Sequence, residues 1–91
     1  VIALPGHTAG HCGFYSAKLD LVFAGDTFAS YGRWAHFPPF FFNDDNGLVH
    51  KSARKLLDRF SCGLLPNHSD GATPEVHRER LEKLVVKKSN A

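Results

Sequence analysis

Apolar and polar residues alternate along this chain with a spacing that changes from segment to segment, and each change outlines an element. Val1 to Leu4 is an apolar, partly β-branched run stopped by Pro5-Gly6, and Cys12 to Tyr15 is the next such run, beyond a loop bracketed by glycines. Both read as short strands, since β-branched and aromatic residues suit a pleated surface and Pro-Gly ends one. Lys18 to Asp20 forms a polar turn. Leu21 to Ala24 is then continuously apolar, as an inner strand buried on both faces requires, and Gly25-Asp26 closes it. From Thr27 to Asn46 no period holds, because Gly32, Pro38 and Pro39 stand among Phe28, Tyr31, Trp34, Phe37 and Phe40 to Phe42. This predicts a long aromatic loop, either a lid over a substrate or a plug for an otherwise thin core.

The spacing turns helical after that loop. Val49, Ala53, Leu56, Leu57 and Phe60 lie on one stripe, with Lys51, Arg54, Lys55, Asp58 and Arg59 between them, which predicts an amphipathic helix. Asn43 to Asn46 offers its N-cap and Gly63 its exit. Gly63 to Leu65 predicts a short strand leading into "PNHSDG", Pro66 to Gly71. A second helix follows, with Thr73 as N-cap, Pro74 at its first position, Glu75 in the first turn, and Val76, Leu81, Leu84 and Val85 on its apolar face. The expected order is β, β, β, long loop, α, β, α, an α/β chain without internal repeats.

Composition narrows the class. Ninety-one residues with a formal charge of +2, 22% charged and 43% hydrophobic, describe neither a disordered chain nor the strong positive field of a nucleic-acid binder. The cluster of Arg78, Arg80, Lys83, Lys87 and Lys88 reads as a solvated helix face that suits the negative end of the helix dipole. No apolar run approaches the ~20 residues of a membrane span, and "FPPFFF", Phe37 to Phe42, is short and broken by proline. Cys12 and Cys62, without a secretory segment, read as reduced and partly buried thiols, so a cytoplasmic setting is expected. The chain contains no methionine, which places the natural N-terminus upstream of Val1 as an expectation.

Three polar residues each follow a predicted strand, where a loop can present a side chain at the sheet edge: His7, Asp26 and His68. Two imidazoles and a carboxylate suit zinc, and also iron or manganese, whereas calcium requires more oxygens. Each residue also has a purely local reading. A histidine in a glycine-rich turn donates to a neighbouring carbonyl, Gly-Asp after a strand makes an Asx-turn, and Pro-X-His makes a turn. His11 reads as structural, holding its loop by a hydrogen bond. His50 and His77 read as surface helix residues, and His36 as a substrate-loop residue.

Read together, "LPGHTAGHCGFY", "LVFAGDTF" and "LLPNHSDG", in this order and with a helix between the last two, resemble the later half of the metallo-β-lactamase fold superfamily, which includes glyoxalase II and lactonases. The resemblance runs over nearly the whole chain. It implies the C-terminal half of an αββα sandwich, with His7 a ligand of a first metal, Asp26 bridging two metals and orienting the nucleophile, and His68 a ligand of the second. "PNH" departs from the family's usual "PGH" by carrying Asn67. The family's His-X-His-X-Asp-His cluster, which normally lies upstream, has no counterpart in these 91 residues. The chain is therefore expected to be a single partial domain, 1–91, that supplies two ligands to each ion, binds metal weakly and is inactive alone. In the complete fold the resemblance implies two zinc ions, with a metal-bound hydroxide attacking a small-molecule ester, thioester, lactone or phosphoester. Thr8, Ser69 and Asp70 are candidates to orient the two imidazoles through their other ring nitrogens.

Two alternatives stand beside this expectation. One is a non-catalytic interaction or structural module, a pseudoenzyme remnant; the other is an iron-holding redox relative. In either case half a sandwich leaves one sheet face uncovered, so self-association or the missing N-terminal half is expected to cover it. Neither a membrane nor a nucleic acid is an expected partner.

Overall fold

A computed structural model describes residues 1–39 and 43–89, and within them the chain is α/β, as its pattern implies. The elements are β1 (Ile2–Ala3), β2 (Cys12–Ser16), β3 (Leu21–Tyr31), β4 (Trp34–His36), α1 (Asn46–Arg59), β5 (Gly63–Ser69) and α2 (Pro74–Ser89). β1 to β4 form an antiparallel meander, while β5 returns through α1 to pair in parallel with β3. A parallel neighbour needs such a crossover, and α1 supplies it. β5 occupies one edge of β3 along most of its length, so β2 and β4 share the opposite edge at its two ends.

Both helices cover one face of the sheet. Val22, Ala24 and Phe28 of β3 and Leu64 of β5 pack with Ala53 and Leu56 of α1 and with Leu81 and Val85 of α2, joined by Ile2, Leu4 and Ala35. The other face carries exposed aromatic side chains. On β2, Tyr15 turns to the helix side and stacks on Phe60, whereas its neighbour Phe14 points away, stacks on Phe23 at 4.8 Å and stays exposed. Tyr31, one residue beyond buried Ser30, is also exposed.

β3 is the main departure from the expected elements. It does not end at Gly25-Asp26 but runs on to Tyr31 and turns back through Gly32-Arg33 into β4, so the expected long loop opens as a hairpin. Gly32 has φ +62° at the first central position, the requirement of a two-residue turn that matches strand twist. The expected Phe40 to Phe42 part of that loop lies outside the described residues.

The helix starts follow the expected capping. Asp45 caps α1 by accepting from Leu48 N–H at 3.0 Å, and Thr73 accepts from Val76 N–H at 3.3 Å at the start of α2. The end of α1 does not involve Gly63: Phe60 is the extended cap, and Gly63 instead opens β5, where a Cβ would collide with Pro74. Three further expectations are corrected on polar residues. His77 is fully buried rather than on the surface, because its Nδ1 meets Ser30 Oγ at 2.7 Å. Arg78 and Arg80 do not form a solvated face. Arg78 donates to the carbonyls of Phe60, Leu57 and Cys62 at 2.6 to 3.1 Å, and Arg80, 9% exposed, pairs with Asp70 at 3.0 Å. Cys12 is exposed and Cys62 partly buried, and both are free thiols. Among the described residues no helix is long and apolar enough to cross a membrane.

Candidate metal centre

The site begins with a proline. Pro66 has no N–H to give the ladder between β5 and β3, and there the register slips: Phe23 pairs with Leu65, Gly25 with Pro66, and Ala29 with His68. Asp26, Thr27 and Phe28 thus stand opposite the single residue Asn67. Such a bulge re-aims side chains, and Asp26 is carried out of the regular pleat by it. Gly25 enters the bulge at φ +60°, and a Cβ there would lie 2.6 Å from His11 Nε2, so both conformation and space select glycine. Asp26 therefore lies within a strand rather than just past one, and His68 lies in the last pairs of β5 rather than in a loop.

His11 has the structural role expected of it. Its Nδ1 donates to Leu4 O at 2.9 Å, which leaves Nε2 as an acceptor for Asp26 N–H at 2.8 Å. One imidazole thus ties the end of the first strand segment to the bulge.

His7 is held from the other side. Its loop is laced to the start of α1 by Asp45 N–H to Gly6 O at 2.8 Å and Asp44 N–H to His7 O at 3.2 Å. Asn43 sets the ring. Its amide Nδ2 donates to Pro38 O at 2.9 Å and Asn46 Oδ1 at 2.8 Å, which turns Oδ1 toward His7 Nδ1 at 2.9 Å. An oxygen that only accepts requires a proton on Nδ1, so Nε2 carries a free lone pair. That Nε2 lies 3.9 Å from Asp26 Oδ2.

His68 approaches the same carboxylate from β5, with Nε2 3.4 Å from Asp26 Oδ1. Asn67 Nδ2 donates to Asp26 Oδ1 at 3.3 Å. The structure therefore gathers His7, Asp26 and His68, three residues remote in sequence, around one half-exposed carboxylate. Their donor types suit a borderline divalent ion, and the Nδ1 bond to Asn43 gives His7 the tautomer a ligand needs. Among the described residues, no group of three or more His, Cys, Asp or Glu side chains could hold a metal ion. The donors fit a metal in kind; a complete shell needs more of them than this segment brings together.

Of the residues expected to orient the imidazoles, Asp70 is engaged elsewhere. The Arg80 guanidinium, followed by the N–H groups of Ala72 and Gly32, holds its carboxyl down at about 2. Asn43 was not foreseen as the partner of His7; its only signal was its place among the candidate N-caps. His36 and His50 do not join the cluster: they line a cleft of about 600 Å³ between β4, α1 and α2, together with Trp34 and Phe37.

No protein-family profile matches the chain. Among curated proteins it is similar to a hydroxyacylglutathione hydrolase of Chelativorans sp. (strain BNC1), with 38% identity over 61 residues, 64% of this chain and 21% of that protein. The chain thus spans about a fifth of the length of the curated relative it matches. Hydroxyacylglutathione hydrolases are metallo-β-lactamase family members, so the likeness suggests this superfamily.

Proposed function

We propose that this chain is the later half of the αββα sandwich of a metal-dependent hydrolase of the metallo-β-lactamase superfamily, in which His7, Asp26 and His68 are metal ligands. The observation that carries this reading is the convergence of both imidazoles on Asp26, with His7 locked by Asn43 in the tautomer that frees Nε2. Zinc is the ion these donors suit first, with iron or manganese also compatible. When bound, a pair of such ions supplies a water deprotonated near neutral pH and Lewis-acid polarisation of the scissile carbonyl.

The chain's own residues prepare that chemistry. Asp26 presents two oxygens, and Asn67 Nδ2 restrains one of them. His11 holds the backbone N–H of Asp26 and so fixes the stretch of bulge from which the carboxylate projects. We extend to this chain the chemistry in its relative's name: hydroxyacylglutathione is a thioester, which puts thioesters first among substrates, ahead of lactones, other esters and phosphoesters. Three donors make an incomplete pair of sites, so the segment alone is inactive in this reading. The rest of the fold, or failing it a second copy, supplies the remaining donors and covers Phe14, Phe23 and Tyr31. We place the protein in the cytoplasm, where free thiols such as Cys12 and Cys62 stay reduced.

The test is elemental analysis of the natural protein that carries this sequence, with hydrolysis assayed on thioester, lactone, ester and phosphoester panels. About two ions per chain, lost on His7→Ala or Asp26→Ala together with thioesterase activity, is the expected result. A natural protein with neither metal nor hydrolysis replaces this reading by the non-catalytic module.

A further inference from the structure

A second polar cluster lies just beyond His68, and none of the roles above uses it. After His68 the strand makes one more pair, Ser69 with Ser30, before the chain leaves for α2. The His68 side chain is 69% exposed, so packing does little to fix where the ring stands. Its placement has to come from the backbone that carries it, and that backbone is fastened at Asp70. The Asp70 N–H donates to Ser30 O at 3.0 Å. Its Oδ2 accepts from Gly32 N–H at 2.8 Å in the β3–β4 turn, and its Oδ1 from Ala72 N–H at 3.1 Å before α2. Arg80 Nη1 reaches both carboxylate oxygens, at 3.0 and 3.2 Å, and also donates to Ser30 Oγ at 3.0 Å.

An exposed ion pair contributes little, but here the arginine is 9% exposed and the carboxylate is bound from the turn, the loop and the helix at once. We infer that Asp70, clamped by Arg80, is a positioning residue that fixes where β5 releases His68 toward Asp26. The inference rests on the ligand role proposed for His68. No hydrogen bond or ion pair joins Asp70 to the imidazole or to Asp26 among the described residues; it acts through the backbone of Ser69, the one residue between it and His68.

The test uses the natural protein and its zinc affinity, measured by competition with a chelator, alongside its melting temperature. Asp70→Ala and the gentler Asp70→Asn are compared with His68→Ala and with Arg78→Gln, which removes an arginine of the same helix that binds only carbonyls and a surface glutamate. Both Asp70 variants are expected to weaken zinc about tenfold, the lower end of what a supporting residue contributes. Arg78→Gln is expected to lower the melting temperature and leave zinc affinity unchanged. If Asp70→Asn melts lower but keeps wild-type affinity while His68→Ala loses zinc, the clamp has no positioning role. If Arg78→Gln weakens zinc as much as the Asp70 variants do, the effect is general destabilisation and the inference is overturned. If His68→Ala itself keeps zinc, the ligand role falls, and the positioning role falls with it.

Discussion

Gly63 to Leu65 and Pro66 to Ser69 belong to one strand lying against one neighbour, yet the first three residues pair with β3 in step and the last four do not. At the base, Leu21, Val22 and Phe23 meet Gly63, Leu64 and Leu65 one to one, and the core closes over them. Past Pro66 the ladder is bulged, the residues become polar, and Asn67 and His68 are exposed. Buried Arg80 and partly buried Arg78 of α2 divide along the same line. Arg78 gathers backbone carbonyls at the base, where the end of α1 leaves acceptors unpaired, and Arg80 binds a carboxylate at the tip. Regular pairing is spent on stability at one end and given up at the other to bring imidazoles and a carboxylate together.

The comparison is tested hardest at the base. Leu64 is fully buried, and Leu64→Ala is expected to cost about 3 kcal/mol, from lost transfer energy and the cavity left behind. Urea unfolding measures this, and zinc affinity of the still-folded protein should not change. A weakened zinc site in that variant would mean that the two ends are coupled through the strand rather than separated at Pro66.

A smaller effect on stability and a larger one on the site are expected at the boundary. Gly25→Ala puts a side chain where φ is +60°, at about 1 to 2 kcal/mol, and drives its Cβ toward His11 Nε2. The ring then gives way and releases Asp26 N–H, so unfolding at lower urea should be accompanied by loss of zinc. Should zinc binding survive, His11 is not what holds the bulge, and Pro66 alone shapes it.

Much of the scaffold could be read from local chemistry. Thr73, Pro74 and Glu75 mark the start of α2 because caps and first-turn residues act within four positions, and the α1 stripe led to the buried Val49, Ala53 and Leu56. What could not be read had a different period or a distant cause. β3 past Gly25 was hidden because a bulge breaks strict alternation, and β4 because three residues are too few to show any. His77 and Arg80 looked solvated because helical periodicity marks apolar residues, whereas these two are buried by polar partners in other elements. His7, Asp26 and His68 are marked by their places after predicted strands and given roles by the phrases around them, not by their spacing. Asn43 stayed unseen because its partner His7 is 36 positions away and only the folded chain brings them together.

The smallest expected effect concerns the imidazole behind the clamp. His77 Nδ1 faces Ser30 Oγ, and among the described residues no partner reaches its Nε2. Burial, and after it the nearby Arg80 charge, push its pKa below the ordinary 6.5, with Asp70 and a backbone hydrogen bond at Ala72 opposing only in part. The folded protein therefore takes up this proton at lower pH than the unfolded chain does. As pH falls below 6.5, the unfolded state binds more protons, so stability declines in that window and is unaffected by this group above it. Melting temperatures taken from about pH 7 down to about pH 5 should fall more steeply in the wild type than in His77→Gln, whose amide does not titrate in that range. The difference in slope is the readout, since the two proteins differ only at position 77. Parallel curves would show that His77 gains its proton as easily in the fold as out of it, which requires Asp70 and the hydrogen bond at Ala72 to offset burial and the Arg80 charge together.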